Sequence, residues 1–254
     1  MPHLLETLGI VLAVGLLAAA VVLLKDRFAP VSEAAEQRED VAEYIAMMVS
    51  VLYALVLGLC MVSVWENRSA AGDHVQAEAS ALHQTYLLAA SLPEAQREPV
   101  RATARSYAAH VVDVEWPRMA AHEELRNEGW TLLDRLRVVS EVDDSATDAQ
   151  KIAAQEVLAQ IGYVDDARRG REAAAQETLS PVLWTGLLLG GVLTLAFMFL
   201  FGVNRSGGHV FMVMGLAGFI AFTVLLVHQL DSPFGGMFGA PADPFIRYFA
   251  LERS

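Results

Sequence analysis

The chain has 254 residues, 54% of them hydrophobic, with 30 acidic against 18 basic side chains and a net charge of −12. So acidic a chain has no basic surface to lay along a phosphate backbone, which excludes nucleic-acid binding. The one cysteine, Cys60, cannot form an intramolecular disulfide, and it lies in an apolar run where a buried thiol is its simplest role.

The first long apolar run covers residues 7–24 and is followed by Lys25, Asp26 and Arg27. With no Lys or Arg before the run, and positive charge where a signal would carry a small-residue cleavage site, it reads as an uncleaved helix. The second run, 44–65, holds no charge and stops at Glu66 and Arg68. A third lies between Glu177 and Arg205, and a fourth between Arg205 and Asp231, where His209 and His228 are the ionisable groups. A helix rising about 1.5 Å per residue needs about 20 apolar residues to cross a bilayer core. Each run is near that length, and none alternates with period two as a barrel strand does. The expected fold is an all-α membrane protein with four transmembrane helices. Residues 1–65 hold the first two and their connection, 66–179 a helical extramembrane domain, 180–230 the last two helices, and 231–254 a Pro/Gly/aromatic tail.

Residues 66–179 are charged and Ala-rich, a composition for helices. No stop signal follows the second run, so that helix continues through His74, Glu78, Leu82 and Leu88 to end near Ser91. Ser91-Leu-Pro-Glu94 has the pattern of a capping box with Pro in the first turn. Val100, Ala104, Tyr107, Ala108 and Val111 then form an apolar stripe that needs cover. Pro117 should kink or end this helix near Trp116. A short segment 130–139 presents Leu132, Leu133 and Leu136, and Thr147-Asp-Ala-Gln150 is a second candidate cap. Ile152, Val157, Ile161 and Val164 begin a long helix that returns to the bilayer. The result is a helical hairpin or a small bundle.

Groups able to do chemistry do not converge in the sequence. The seven histidines are scattered, with no H-E-x-x-H or paired Glu-x-x-His pattern, and no nucleophile elbow, P-loop or dinucleotide-binding glycine pattern occurs. His110 and Asp113 lie one helical turn apart with Glu115 beyond, a spacing that suits a surface hydrogen bond better than a metal site. The expectation is no enzyme, no cofactor and no metal. Arg168, Arg169 and Arg171 flank the third run, where anionic headgroups are their simplest partners and a specific ligand the alternative.

Small residues recur four apart at Gly15 with Ala19, Ala54 with Gly58, and Gly186 with Gly190, pairs that let helix backbones approach closely, within one bundle or between subunits. On the second run, steps of about 100° place Asp40, Tyr44, Met47, Ala54, Gly58, Met61 and Trp65 on one face that ends beside Glu66. A conduction path with carboxylates at its mouths has this character, and so does a buried helix with polar ends. Asp231, after the fourth run, precedes a turn formed by Pro233 and two glycines, which is expected to fold Phe245, Tyr248 and Phe249 back onto the membrane interface. Glu66 and Asp231 both follow a span, on one side of the bilayer after an even number of crossings. Arg68, Arg168, Arg169, Arg171, Arg247 and Arg253 lie on that side against Lys25, Arg27, Arg38 and Arg205 on the other, which favours a cytoplasmic middle domain.

Several of these segments, in order, resemble the bacterial bestrophin-like membrane proteins, a domain family of unknown function. They are Asp40-Val-Ala-Glu-Tyr44, Val51-Leu-Tyr-Ala-Leu-Val-Leu-Gly58, Val64-Trp-Glu66, Glu115-Trp-Pro117, Leu179-Ser-Pro-Val-Leu-Trp184 and Leu230-Asp-Ser-Pro-Phe-Gly-Gly236. The resemblance covers almost the whole chain and implies kinship with bestrophins, ring-shaped ion channels with a helical cytosolic part. It implies a homo-oligomeric channel or pore of the bacterial inner membrane, with its pore along the second span. Lipid, copies of itself and inorganic ions would be its partners. The alternative is a membrane-anchored sensor or scaffold whose helical domain binds a ligand or a protein.

Overall fold

The computed structural model describes residues 2–28, 36–201 and 207–251, without the side chains of 2–5, 7, 22–28, 36–43, 198–201 and 207–209. The expectations for Lys25, Arg27, Arg38, Asp40, Arg205, His209 and Arg253 therefore lie outside the described residues. Helices follow one another as α1 (Pro2–Phe28), α2 (Glu36–Leu88), α3 (Glu94–His110), α4 (Trp116–Ala120), α5 (Glu128–Val139), α6 (Asp148–Gln176), α7 (Pro181–Phe201), α8 (Gly207–Leu230) and α9 (Asp243–Phe249). Among the described residues there is no strand. The chain divides into two compact units, one of Met1–Trp65 with Thr178–Asp231 and one of Glu66–Glu177 with Ser232–Ser254.

In the first unit α1 packs on α8 through small residues. Gly15 is buried, and a Cβ there would lie 3.2 Å from Met214 Cγ and 3.3 Å from the Met214 carbonyl oxygen. Ala18, Val213 and Ala217 form the buried seam, with Val14, Leu195 and Val210 against it. Without water to drive apolar surfaces together, such close backbone approach supplies much of the attraction. The stretch Tyr44–Ser91 and the segment Val210–Leu230 are long and apolar enough to cross a membrane. Asp148–Gln176 and Pro181–Phe197 meet that test only if counted together, and Leu8–Val21 is a shorter apolar helix. Two or three crossing-competent helices are thus present among the described residues, where four were expected.

The second unit is a bundle whose apolar core joins Val75, Leu82, Val100, Tyr107, Val111, Leu133, Leu136, Val157, Ile161 and Val164. Helix α2 runs unbroken to Leu88 and closes in a 3₁₀ turn, Ala89–Ser91, as the missing stop signal implied. Thr147 caps α6 in a full capping box: its Oγ1 accepts from the Gln150 N–H at 3.3 Å, and Gln150 Oε1 accepts from the Thr147 N–H at 3.0 Å.

One local expectation fails, for a physical reason. Ser91 does not cap α3, because Pro93 takes the N-cap position in extended conformation (φ −53°, ψ 150°) and leaves Ser91 in the 3₁₀ turn. At Pro117, where a kink or an end was expected, the helix is interrupted and then resumes. Pro117 lacks the N–H that would bond the carbonyl of Asp113, and the chain meets it with a π-helical turn, Val111–Glu115, before α4 carries on to Ala120. The long helix expected from Ile152 onward is α6, in which Val157, Ile161 and Val164 are buried and Ile152 is exposed. The aromatic tail packs on protein. Phe245 and Phe234 are buried edge-on to Trp116, and the Tyr248 ring stacks on His83 at 4.9 Å while its hydroxyl accepts from Gln76 Nε2 at 2.9 Å.

Candidate functional site

Between residues 44 and 65, the buried side of α2 is Tyr53, Leu57, Cys60 and Val64, spaced four, three and four. The expected pore face lies one residue further round, about 100° away. Tyr44, Ala54, Gly58 and Trp65 on it are exposed and Met61 is half-buried, and a Cβ on Gly58 would meet nothing within 4 Å. Exposure is not confined to that face, since Met48, Leu52, Leu55, Leu59 and Val62 are exposed as well. The helix thus presents apolar side chains in nearly every direction. Asp40 lies on the same helix, and Glu66, one residue beyond Trp65, is exposed.

Asp231 has a structural duty. Its Oδ1 accepts from the Leu179 N–H at 2.7 Å and its Oδ2 from Trp184 Nε1 at 3.1 Å, so it holds the chain leading into α7. Of the small pairs, Gly15 lies in the α1–α8 seam beside half-buried Ala19. Gly186 faces open space, and Gly190 lies against the ring of Tyr53, where a Cβ would come within 2.5 Å of Cδ2.

The second unit holds an ionic core that sequence reasoning missed. Arg168 and Arg171, from α6, are both 0% exposed, as is Glu78 of α2, and Glu115 at the end of the π-turn is 1% exposed. Arg168 forks onto Glu115, with Nη2 at 2.6 Å from Oε1 and Nη1 at 3.0 Å from Oε2. Arg171 forks onto Glu78, Nε at 2.6 Å from Oε2 and Nη2 at 3.0 Å from Oε1, and Nη2 also reaches Glu115 Oε2 at 2.8 Å. Tyr107 completes the set by donating to Glu78 Oε1 at 2.6 Å and accepting from Arg168 Nη1 at 3.0 Å. The Arg168 guanidinium also lies 4.9 Å from the centre of the Trp130 ring, and Gly129 at the start of α5 abuts the fork so closely that a Cβ would collide with Arg168 Nη2 and Glu115 Oε1.

Burial alone would raise the Glu115 carboxyl, but Arg171 and Arg168 outweigh it and hold the group below the usual carboxylate range. Burial likewise lowers the Arg171 guanidinium, and Glu78 more than restores it. Burial and the nearby Glu78 charge push the Tyr107 phenol well up, so it stays a donor at every physiological pH. At the rim, Glu172 Oε1 is 2.8 Å from Arg168 Nη2 but off hydrogen-bond alignment, and burial raises its carboxyl against the pull of Arg168. His110 Nε2 lies 3.6 Å from Glu115 Oε1, beyond hydrogen-bond reach, and Asp113 is exposed. With both central carboxylates taken up by guanidinium groups, the core ties α2, α6 and the π-turn together and offers no free base. Among the described residues no group of three or more His, Cys, Asp or Glu side chains is placed to hold a metal ion.

The placement corrects the expectation for the three arginines: Arg168 and Arg171 cannot meet headgroups, and only Arg169 is exposed, pairing with Asp166 at 3.1 Å. The signal for this was present in the spacing. Arg168 and Arg171 continue the stripe Val157, Ile161, Val164; Glu115 continues Ala104, Tyr107, Val111; and Glu78 continues Ala71, Val75. A charge on an apolar stripe calls for a buried partner. A family model described as a bestrophin-like domain matches residues 12–245. No curated protein and no solved structure matches the chain.

Proposed function

Because this chain belongs to the bestrophin-like domain family, we propose that it works as a homo-oligomeric ion channel or pore, built on four membrane-spanning helices. The observation that carries the reading is the surface of α2 between residues 44 and 65, where Tyr44 is 66% exposed, Leu59 63% and Trp65 57%, on a helix buried along only one narrow side. Lipid covers part of such a surface. Symmetric copies of the same helix cover the rest, with Ala54 and Gly58 allowing close approach and Tyr44, Met61 and Trp65 facing the axis. The apolar helices place the protein in a membrane, proposed to be the plasma membrane, with the helical unit in the cytoplasm. With Arg168 and Arg171 buried in ion pairs, the basic residues no longer argue for that orientation, which rests on the family alone. Labelling of an introduced cysteine at Ser145 by an impermeant reagent in intact cells would reverse it.

Of the proposed carboxylates at the pore mouth, Glu66 is exposed and free to form a ring in an oligomer, whereas the bonds Asp231 makes to Leu179 and Trp184 favour a capping role. Glu66 copies would concentrate cations over a Debye length of about 8 Å. The test is reversal potential across a salt gradient in liposomes. Wild-type protein is expected to prefer cations, Glu66→Gln to lose that preference, and Asp231→Asn to keep it. A second reading, in which the helical unit binds a ligand, is favoured by an open groove of about 510 Å³ between α2 and α6, lined by His74, Ser80, Gln84, Gln160, Tyr163 and Asp166. Metabolite-dependent thermal stabilisation, abolished by Tyr163→Ala, would support it.

A further inference from the structure

Within the second unit α2 has α3 on one side and α6 on the other, and α5 closes the ring between those two. Tyr107 meets Glu78 and Arg105 meets Tyr86, so the start of α3 lies at the Leu88 end of α2. Gly170 lies against His74 while Gln160 and Gln84 line one groove, which brings the start of α6 to that end too. Helix α5 leaves the ionic core at Gly129 and pairs Arg137 with Asp165, so the loop 140–147 that follows it reaches the same end. There the α2–α3 edge and the α5–α6 edge lie on opposite sides of the bundle.

The two edges differ in charge. Arg97, Arg101 and Arg105 recur four apart on α3, with Glu94 and Glu98 as the acids among them, and Glu98 reaches Arg105 at 3.5 Å. Neutral groups hold all three guanidiniums: Arg97 Nε donates to the Leu92 carbonyl at 2.8 Å, Arg101 Nε to the Tyr86 carbonyl at 3.4 Å, and Arg105 Nη2 to the Tyr86 hydroxyl at 3.1 Å. The Arg101 and Arg105 groups also lie 5.3 and 5.2 Å from the centre of the Tyr86 ring. Planar forks fixed in this way lose little freedom when a carboxylate binds them. On the α5–α6 edge Glu141, Asp143, Asp144 and Asp148 are all exposed, with Lys151 as the base in that stretch. Edges of opposite sign at one end of a bundle suit a head-to-tail contact between copies rotated about an axis along it, since rotation keeps each group at its height. We infer that Glu141, Asp143 and Asp144 of one copy dock on Arg97, Arg101 and Arg105 of the next.

The docking rests on the homo-oligomer reading, and charge reversal in the full chain tests it, with native mass measured in lipid nanodiscs. Asp143→Lys with Asp144→Lys reverses one edge at side chains that are exposed in the protomer, and Arg97→Glu with Arg101→Glu reverses the other. Each pair is expected to weaken association by about tenfold or more at low salt, because like charges then face each other. All four substitutions in one chain are expected to restore the wild-type assembly. Should the glutamate pair fail to fold, Arg105→Glu reverses an exposed member of the same stripe, and is combined with the lysine pair in its place. A wild-type oligomer that neither pair weakens, or a combined variant that assembles no better than the pairs, overturns the docking and leaves self-association through α2 standing. A monomeric wild type overturns both.

Discussion

Helix α2 packs by one rule between residues 44 and 65 and by the reverse rule from 66 to 88. In its first stretch the buried side chains, Leu57 and Val64 among them, differ little from exposed Leu55 and Leu59. In its second stretch the helix is divided: Ala71, Val75, Ala79 and Leu82 are buried, and Asp73, Gln76 and Gln84 are exposed. A helix apolar all round has no reason to fold in water, whereas a helix apolar on one stripe has every reason. The comparison extends to the two units. The first binds its helices through Gly15, Ala18 and Ala217, where lipid supplies no hydrophobic drive, and the second places two guanidinium–carboxylate forks inside an apolar core.

The largest effect should come from unbalancing the ionic core. Arg171→Met leaves the buried Glu78 charge with the Tyr107 hydroxyl as its remaining partner and Glu115 with Arg168 alone, a loss of about 3–5 kcal/mol, while pairing it with Glu78→Met restores most of that. Thermal unfolding of the detergent-solubilised protein measures both. If the double variant is as unstable as the single one, packing and not charge holds α2 to α6.

Steric changes come next. Gly129→Ala should cost about 1–3 kcal/mol by driving a methyl into the Arg168–Glu115 fork, and Gly15→Leu a similar amount at the α1–α8 seam. Gly58→Leu, which meets nothing within the protomer, should leave the unfolding of a dissociated chain unchanged and act on assembly alone.

Acid should act on the second unit through Glu115. Its carboxyl titrates below the usual range when folded, so unfolding takes up a proton at acid pH. The stability it contributes is complete above the usual carboxylate range and disappears as pH falls through the native value. A Glu115→Gln protein should be less stable at neutral pH and show a shallower decline on acidification; parallel curves for the two proteins would contradict this. Among the polar changes the smallest effect is expected at Asp231→Asn, where the amide still accepts from Leu179 but cannot accept from Trp184 with its nitrogen, a loss of about 1 kcal/mol.

What was legible in the sequence follows from the range of the forces involved. The run of α2 to Leu88, the Thr147 cap and the stripe from Val100 to Val111 depend on neighbours within a few turns, and local pattern reports them. The ionic core depends on pairs 53 to 93 residues apart, which no window contains. The three arginines looked like a juxtamembrane cluster because their charge was read without the stripe that Arg168 and Arg171 continue. Pro117 marked an interruption of the helix, but not its form, because a π-turn, which absorbs the missing N–H, leaves no mark on local composition. The docking of Phe234 and Phe245 against Trp116 brings distant segments together in the same way. For the expected pore residues, sequence placed Tyr44, Ala54, Gly58 and Trp65 on one face, and that face is open in the protomer. Pattern could not separate this face from the rest of an apolar helix, because hydrophobicity varies so little around it.

The central claim is that the open surface of α2 is covered by copies of the same chain. Native mass measurement of the wild-type protein in lipid nanodiscs tests it most directly. The account predicts a single closed oligomer that Gly58→Leu weakens, and a wild-type protein that remains a monomer in lipid would contradict it.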